Sequence, residues 1–391
     1  MFAENPGNPR DLSGKSQRIR QSLVRRSARL ARPWLDRASS RVSARVPLLE
    51  GVLAKVDPTL SLHRVLARVV AVRDETHDVR TFVLRPNARF GAYRPGAHVR
   101  VHLVVDGQPV QRTYSLSSAP GTNGLPSITV KRVPGGLVSN HLANEIAPGH
   151  VLELSAPEGQ FTLPNPVPAK VLMISAGSGI TPVMSMLRHL VATRSATEVT
   201  FLHFARTPDD IIFKQELAQI AATATNVRVV SCVEQADATW SGPTGRFTRE
   251  LLEELAPDFR DLDTYLCGPG GFMRAVVQTY EAAEADLSKL RYELFNADFD
   301  VSAILGQSHL VRFARSGVES LANRPLTILQ QAEAQGLRVE TGCRAGTCGT
   351  CRCKKKRGVV FNVATQQESG AGEEMIFPCV SVARTTVEVD L

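Results

Sequence analysis

The chain has 391 residues, 43% of them hydrophobic, and a formal net charge of +8. That length suggests roughly two to four domains with room for sizeable cores, and no apolar run approaches the ~18 residues of a membrane span. Twelve Lys/Arg against five Asp/Glu in residues 1–62 carry seven of the eight net charges, so the rest of the chain is near neutral and no nucleic-acid partner is expected.

Residues 1–17, dominated by Pro, Gly, Asn and Ser, read as irregular. From Arg18 to about Leu35 the sequence can form a helix with Ile19, Leu23, Leu30 and Trp34 on one face and most arginines elsewhere. Such a basic amphipathic segment suits a membrane interface, an acidic partner, or packing on its own protein. Its Arg/Ser content resembles a transit peptide, but Glu4 and Asp11 argue against one. From His63 the pattern becomes strands: His63–Val72, Val79–Leu84, Ala97–Val105 before the Asp106-Gly107 turn, Ser127–Val133 and Val151–Ser155. Short strands between Gly/Pro turns predict a small antiparallel barrel over residues 63–163. From Lys170 strands alternate with helices. Strands Val171–Ser175, Val199–Phe204, Val227–Cys232 and Asp263–Cys267 interleave with helices Thr181–Thr193, Asp210–Ala222 and Gly271–Ala285, the pattern of a doubly wound α/β domain. After a linker near 297–308 comes a small α+β module with helix Ile328–Gln335.

Three segments suit nucleotide chemistry. Arg112-Thr113-Tyr114-Ser115 offers a guanidinium for a phosphate, a phenol to lie against a flavin ring, and a hydroxyl for the ring's N5/O4 edge. About 20 residues on, Gly135-Gly136-Leu137-Val138-Ser139-Asn140 leads into a helix whose N–H groups suit a pyrophosphate. Gly177-Ser178-Gly179-Ile180-Thr181-Pro182 also joins a strand to a helix, although Pro182 stands where the third glycine of the usual fingerprint would be. Cys267-Gly268-Pro269-Gly270 ends another strand and places a small, soft side chain there. After strand Val199–Phe204 comes Ala205-Arg206-Thr207, with no acid for a ribose 2′-OH. Arg206 can pair with a 2′-phosphate, which favours NADPH over NADH.

The C-terminal cysteines are the most specific signal. Cys343-x4-Cys348-x2-Cys351, with Cys379 after 27 intervening residues, is the spacing of plant-type [2Fe–2S] ligands. A zinc site would favour paired C-x2-C knuckles, and only Cys348 and Cys351 form one. A disulfide framework needs an oxidising compartment, for which no secretory signal argues, so a cytoplasmic location is expected. Cys353 is surplus to the four ligands and reads as a strand side chain.

These motifs, in this order, resemble the ferredoxin–NADP reductase superfamily in its branch with a fused C-terminal [2Fe–2S] domain, over residues 63–391. The resemblance implies a multidomain protein. A basic extension (1–62) would precede an antiparallel β-barrel flavin domain (63–163), a doubly wound α/β nucleotide domain (164–296), a linker (297–308) and an α+β, β-grasp ferredoxin domain (309–391). It implies FAD held by Arg112, Tyr114 and Ser115, with Gly136, Val138 and Ser139 at its phosphates. Gly177, Gly179, Thr181, Cys267, Gly268 and Pro269 would touch NADPH or NADH, and Cys343, Cys348, Cys351 and Cys379 would hold the cluster. Tyr114, Ser115 and Cys267 are the residues expected at the reacting atoms; Glu293 and Phe295 are expected near the flavin. The implied activity is NAD(P)H-dependent electron transfer through FAD and [2Fe–2S]. The basic extension and its lead-in Asp57–Leu62 are similar to reductases serving membrane-bound acyl desaturases. A fatty-acyl desaturase partner with peripheral membrane contact is therefore expected. A Rieske-type or other soluble oxygenase, which needs no basic arm, is the alternative; a non-catalytic redox sensor is a third class.

Overall fold

The structure, a computed structural model, describes residues 50–51, 55–121, 124–295, 307–342, 344, 346, 349–363, 365 and 367–391. The expected helix Arg18–Leu35, most of the linker, Cys343 and Cys348 lie outside them. The chain divides into two compact units, Met1–Leu62 and His63–Leu391. In the first, Glu50 accepts hydrogen bonds from Ser61 Oγ and the Leu62 N–H, at 3.1 and 2.7 Å.

The second unit begins with six antiparallel strands: β1 (Val65–Thr76), β2 (Val79–Pro86), β3 (His98–Val105), β4 (Gln108–Ser115), β5 (Ser127–Lys131) and β6 (Val151–Leu154), in the order β4-β3-β6-β1-β2-β5. Alternation drives β3: Val99 and Val101 are fully buried while Arg100 and His102 are not, as a half-buried strand requires. Asp106 and Gly107 turn the β3–β4 hairpin at φ +52 and +73, the left-handed pair that matches strand twist. A bridge between Leu116 and Ile128 joins the end of β4 to β5 and closes the sheet into the expected barrel. Phe82, Leu84, Val99, Leu116 and Ile128 fill it, and helix α1 (Leu137–Glu145) adds Val138 and Leu142. The Arg112–Ser115 segment is the end of β4 itself.

Next come β7 (Lys170–Ala176), α2 (Ile180–Ala192), β8 (Glu198–Ala205), α3 (Lys214–Thr223), β9 (Val227–Val233), α4 (Arg249–Leu255), β10 (Asp263–Cys267), α5 (Gly270–Ala282) and β11 (Leu290–Glu293). Their five strands are all parallel, in the order β11-β10-β7-β8-β9. The chain steps one way from β7 and returns to β7's other side with β10. The ends of β7 and β10 therefore form the switch point where ligands of such sheets bind. Helix α3 starts four residues later than the sequence predicts. Thr207 and Asp210 form a capping box around a short 3-10 turn, and Phe213 takes a left-handed φ of +60° before the helix begins. Both α4 and β11 escaped the periodicity reading.

The C-terminal part holds a mixed sheet, β13-β12-β19-β14-β17, and a three-stranded sheet, β16-β15-β18. Its strands are β12 (Val311–Phe313), β13 (Val318–Ser320), β14 (Cys353–Arg357), β15 (Val360–Asn362), β16 (Gln367–Glu368), β17 (Glu374–Ile376), β18 (Ser381–Ala383) and β19 (Val387–Val389), with one helix, α6 (Ile328–Ala334). Thr327 and Gln330 form a reciprocal capping box that starts α6, an N-terminal device worth about 1 kcal/mol. Lys355 is fully buried, its Nζ donating to the Gly370 carbonyl at 2.9 Å.

Candidate functional site

Two cavities meet at Lys131. The first, about 360 Å³, is lined by Arg112, Tyr114, Ser115, Gly136, Val138 and Ser139, all the residues the sequence assigns to the flavin. Ser178 from the β7–α2 turn, Phe295 beyond β11 and Arg344 from the cysteine loop also line it. Thr181, expected at the nucleotide, lines this first cavity from the first turn of α2. A Cβ on Gly136 would lie 2.7 Å from Ser139 Oγ and 3.0 Å from Val133. Glycine is needed there by crowding. No side chain caps the N-terminus of α1, so its first N–H groups suit a phosphate. Burial, and then the like charge of Arg344, lower the pKa of Arg112, yet a guanidinium stays charged. Burial raises the Tyr114 phenol, which remains protonated. A cradle of cations, free N–H groups and an aromatic ring fits FAD.

Behind Ser115 runs a buried polar chain. Ser115 Oγ donates to Glu293 Oε2 at 3.2 Å, and the other carboxylate oxygen lies 3.3 Å from His98 Nδ1. All three residues are buried. Glu293 ends β11 beside Cys267, its parallel partner on β10, and His98 opens β3 opposite Ser115. The sequence pointed to Glu293 and Phe295 but not to His98, which β3–β4 pairing sets opposite Ser115 and which meets Glu293 where the barrel packs on the parallel sheet. Cys267 itself lines neither cavity. It is fully buried, and its thiol is raised well above its ordinary pKa by burial and then by Glu293.

The second cavity, about 630 Å³, opens at the switch point and is lined by Gly177, Arg206, Arg246, Phe247, Pro269 and Phe272 among others. Of the residues predicted for the nicotinamide nucleotide, Gly177, Arg206 and Pro269 line it; Gly179, Cys267 and Gly268 stand behind. Gly179 lets the two crossover turns touch: a Cβ there would sit 2.2 Å from the Cys267 carbonyl oxygen. Phe204, Phe247 and Phe272 form a ring cluster with centroids 5.2–5.8 Å apart, an apolar floor for a planar ring. Arg206 Nε donates to Asp210 at 3.3 Å and Arg246 Nε to Glu234 at 3.0 Å. Arg246 had no sequence signal; it reaches the cavity from a loop about forty residues after Arg206.

At the C-terminal module, Cys351 and Cys379 are buried in one small core with Val363 and Val380. Cys353 opens β14 and packs in a different core, with Phe313 and Val389. Gly346, at φ +75, leaves no room for a side chain: its Cβ would meet Val380 at 2.8 Å. Two buried thiols in one core beside a glycine-turned loop suit a cluster. Gln111 Nε2 donates to Thr350 Oγ1 at 3.0 Å, placing this loop against β4.

Family models match all three modules: "Oxidoreductase FAD-binding domain" over residues 66–163, "Oxidoreductase NAD-binding domain" over 173–278 and "2Fe-2S iron-sulfur cluster binding domain" over 311–384. An NADPH oxidoreductase of Mycobacterium tuberculosis is 35% identical over 361 residues, covering 90% of this chain and 92% of that protein. The glycine betaine monooxygenase reductase subunit of Pseudomonas aeruginosa is 34% identical, covering 84% and 95%. The solved phthalate dioxygenase reductase shares the fold, with a TM-score of 0.53 at 23% identity over 84% of this chain and 98% of that one. Among the described residues no helix is long and apolar enough to cross a membrane. The chain belongs to the ferredoxin–NADP reductase superfamily, as an NAD(P)H-dependent oxidoreductase with FAD and a C-terminal [2Fe–2S] domain.

Proposed function

We propose that the chain takes reducing equivalents from NADPH and delivers them singly to an oxygenase component. FAD supplies the conversion from a two-electron donor to one-electron delivery, and the cluster supplies the exit. The observation that carries this reading is the shared flavin cavity. Barrel, nucleotide domain and cysteine loop each contribute to its wall. Arg112 and the α1 N–H groups would hold phosphate, and Tyr114 and Ser115 would face the flavin ring, Ser115 oriented by Glu293. Cys343, Cys348, Cys351 and Cys379 would hold the cluster. Arg206 and Arg246 would hold a 2′-phosphate, in keeping with the name of the mycobacterial relative.

The name of the Pseudomonas relative supports an oxygenase partner better than the desaturase expected from the basic arm. A membrane-bound desaturase is the second reading and rests on the basic extension alone, which carries seven of the eight net charges. The test compares the full chain with a form lacking residues 1–62. Both should reduce cytochrome c with NADPH and sustain a reconstituted soluble oxygenase equally. Loss of turnover only with desaturase-containing membranes, and only in the truncated form, would favour the second reading.

A further inference from the structure

Arg344 stands out in the cysteine loop. Its φ is +57°, a left-handed conformation; Gly346 and Gly349 hold the other such positions among the loop's described residues, at +75° and +73°. A glycine would adopt this conformation without steric cost, so keeping a side chain at Arg344 carries a local backbone cost. That side chain leaves the loop and lines the flavin cavity. Its two terminal nitrogens donate to the carboxylate of Glu333 on α6, at 3.1 and 2.5 Å. Its Nε is buried without a partner. Arg112, Lys131 and Arg344 all line the cavity, and no Asp or Glu does among the described residues. Lys131 is balanced by Asp78 at 2.7 Å, and Arg344 by Glu333. Arg112 donates Nη1 to the Gln111 carbonyl at 2.8 Å. Arg344 still lies close enough to Arg112 to lower its pKa, and an anion between the two guanidiniums relieves that repulsion.

We propose that Arg344, carried by the cluster loop, is a ligand of the FAD diphosphate, so that the ferredoxin domain completes the flavin site. This rests on the flavin site proposed above. By linkage, FAD binding and docking of the cluster loop stabilise each other to the same extent. The Gln111–Thr350 hydrogen bond belongs to the same contact. Glu333 tempers the site: it orients Arg344 while offsetting part of its charge.

The test is FAD affinity of the full chain, freed of flavin and with iron content verified, by fluorescence titration. Arg344→Gly relieves the backbone and deletes the guanidinium. It should weaken FAD binding about ten- to hundredfold, the range for a lost charged hydrogen bond. A loss of less than threefold overturns the proposal. Glu333→Gln keeps an acceptor, removes the charge and leaves the loop untouched, so it stays informative if the glycine variant loses iron. It should tighten FAD binding at least twofold; unchanged or weaker binding means that Arg344 acts only through packing, and overturns the proposal. An unmodified chain that binds no FAD would instead remove the flavin-site reading itself.

Discussion

Replacing Arg206 with alanine tests the nucleotide assignment at the mouth of the second cavity. Only Nε of Arg206 is committed to Asp210, at 3.3 Å. The two terminal nitrogens can form the planar fork that matches a phosphate. A hydrogen bond to a charged group contributes about 1.5–3 kcal/mol. The side chain is 65% exposed, so solvent screening puts the effect at the low end, about 1.5 kcal/mol. That corresponds to roughly a tenfold rise in KM for NADPH. NADH lacks the 2′-phosphate and should lose less than twofold. Asp210 is anchored independently by the Thr207 N–H and hydroxyl, at 3.2 and 2.8 Å, so the turn should survive the substitution. Steady-state cytochrome c reduction with each nucleotide reads the split. Equal losses with both would show that Arg206 only supports the turn, and the preference for NADPH would lose its structural basis.

Other outcomes follow from single residues. Gly179→Ala drives a Cβ to 2.2 Å from the Cys267 carbonyl and 2.5 Å from the Gly268 nitrogen. Backbone atoms cannot step aside, so a loss of about 1–3 kcal/mol in stability and weaker NADPH binding are expected; an unchanged melting temperature and affinity would contradict the packing. His203 is fully buried against Ser175, at 2.9 Å, and burial lowers its pKa to about 4. The unfolded chain protonates near 6.5 while the folded one does not. His203 therefore costs stability as pH falls from about 6.5 to 4, by up to about 1.4 kcal/mol per unit. His203→Gln should flatten the fall in melting temperature between pH 7 and 5, and parallel slopes for the two proteins would refute this. Cys353→Ser should keep its iron, because Cys353 packs in a separate core from Cys351 and Cys379; iron loss would reassign the ligands.

Much of this architecture is legible along the chain because its signals are local. Strand alternation at Val99 and Val101, the Asp106-Gly107 turn and the strand–glycine–helix junctions at Gly177 and Gly268 each depend on neighbours in sequence. Thr327 and Gln330 mark the start of α6 in the same way. What escaped depends on distant chain segments. His98 reaches Glu293 through pairing of β3 with β4 and a separate parallel sheet. Arg246 and Lys131 enter cavities from loops and strands without a motif. Thr181 lines the cavity of Arg112 and Tyr114 because of where α2 docks, which its own sequence does not encode. Arg344 carries no motif signal of its own, and only the fold brings it to the cavity of Arg112 and Tyr114. Phe213, a bulky residue at a left-handed φ, delayed α3 against the periodicity of its sequence.

The most direct measurement is an anaerobic NADPH titration that follows flavin absorbance and the electron paramagnetic resonance of the cluster together. In the unmodified chain, flavin bleaching should be followed by a reduced-cluster signal, with about two irons and one FAD per chain. In Cys351→Ser the flavin should still bleach while the cluster signal is lost. A cluster that stays oxidised in the unmodified chain after the flavin is fully reduced would contradict the account.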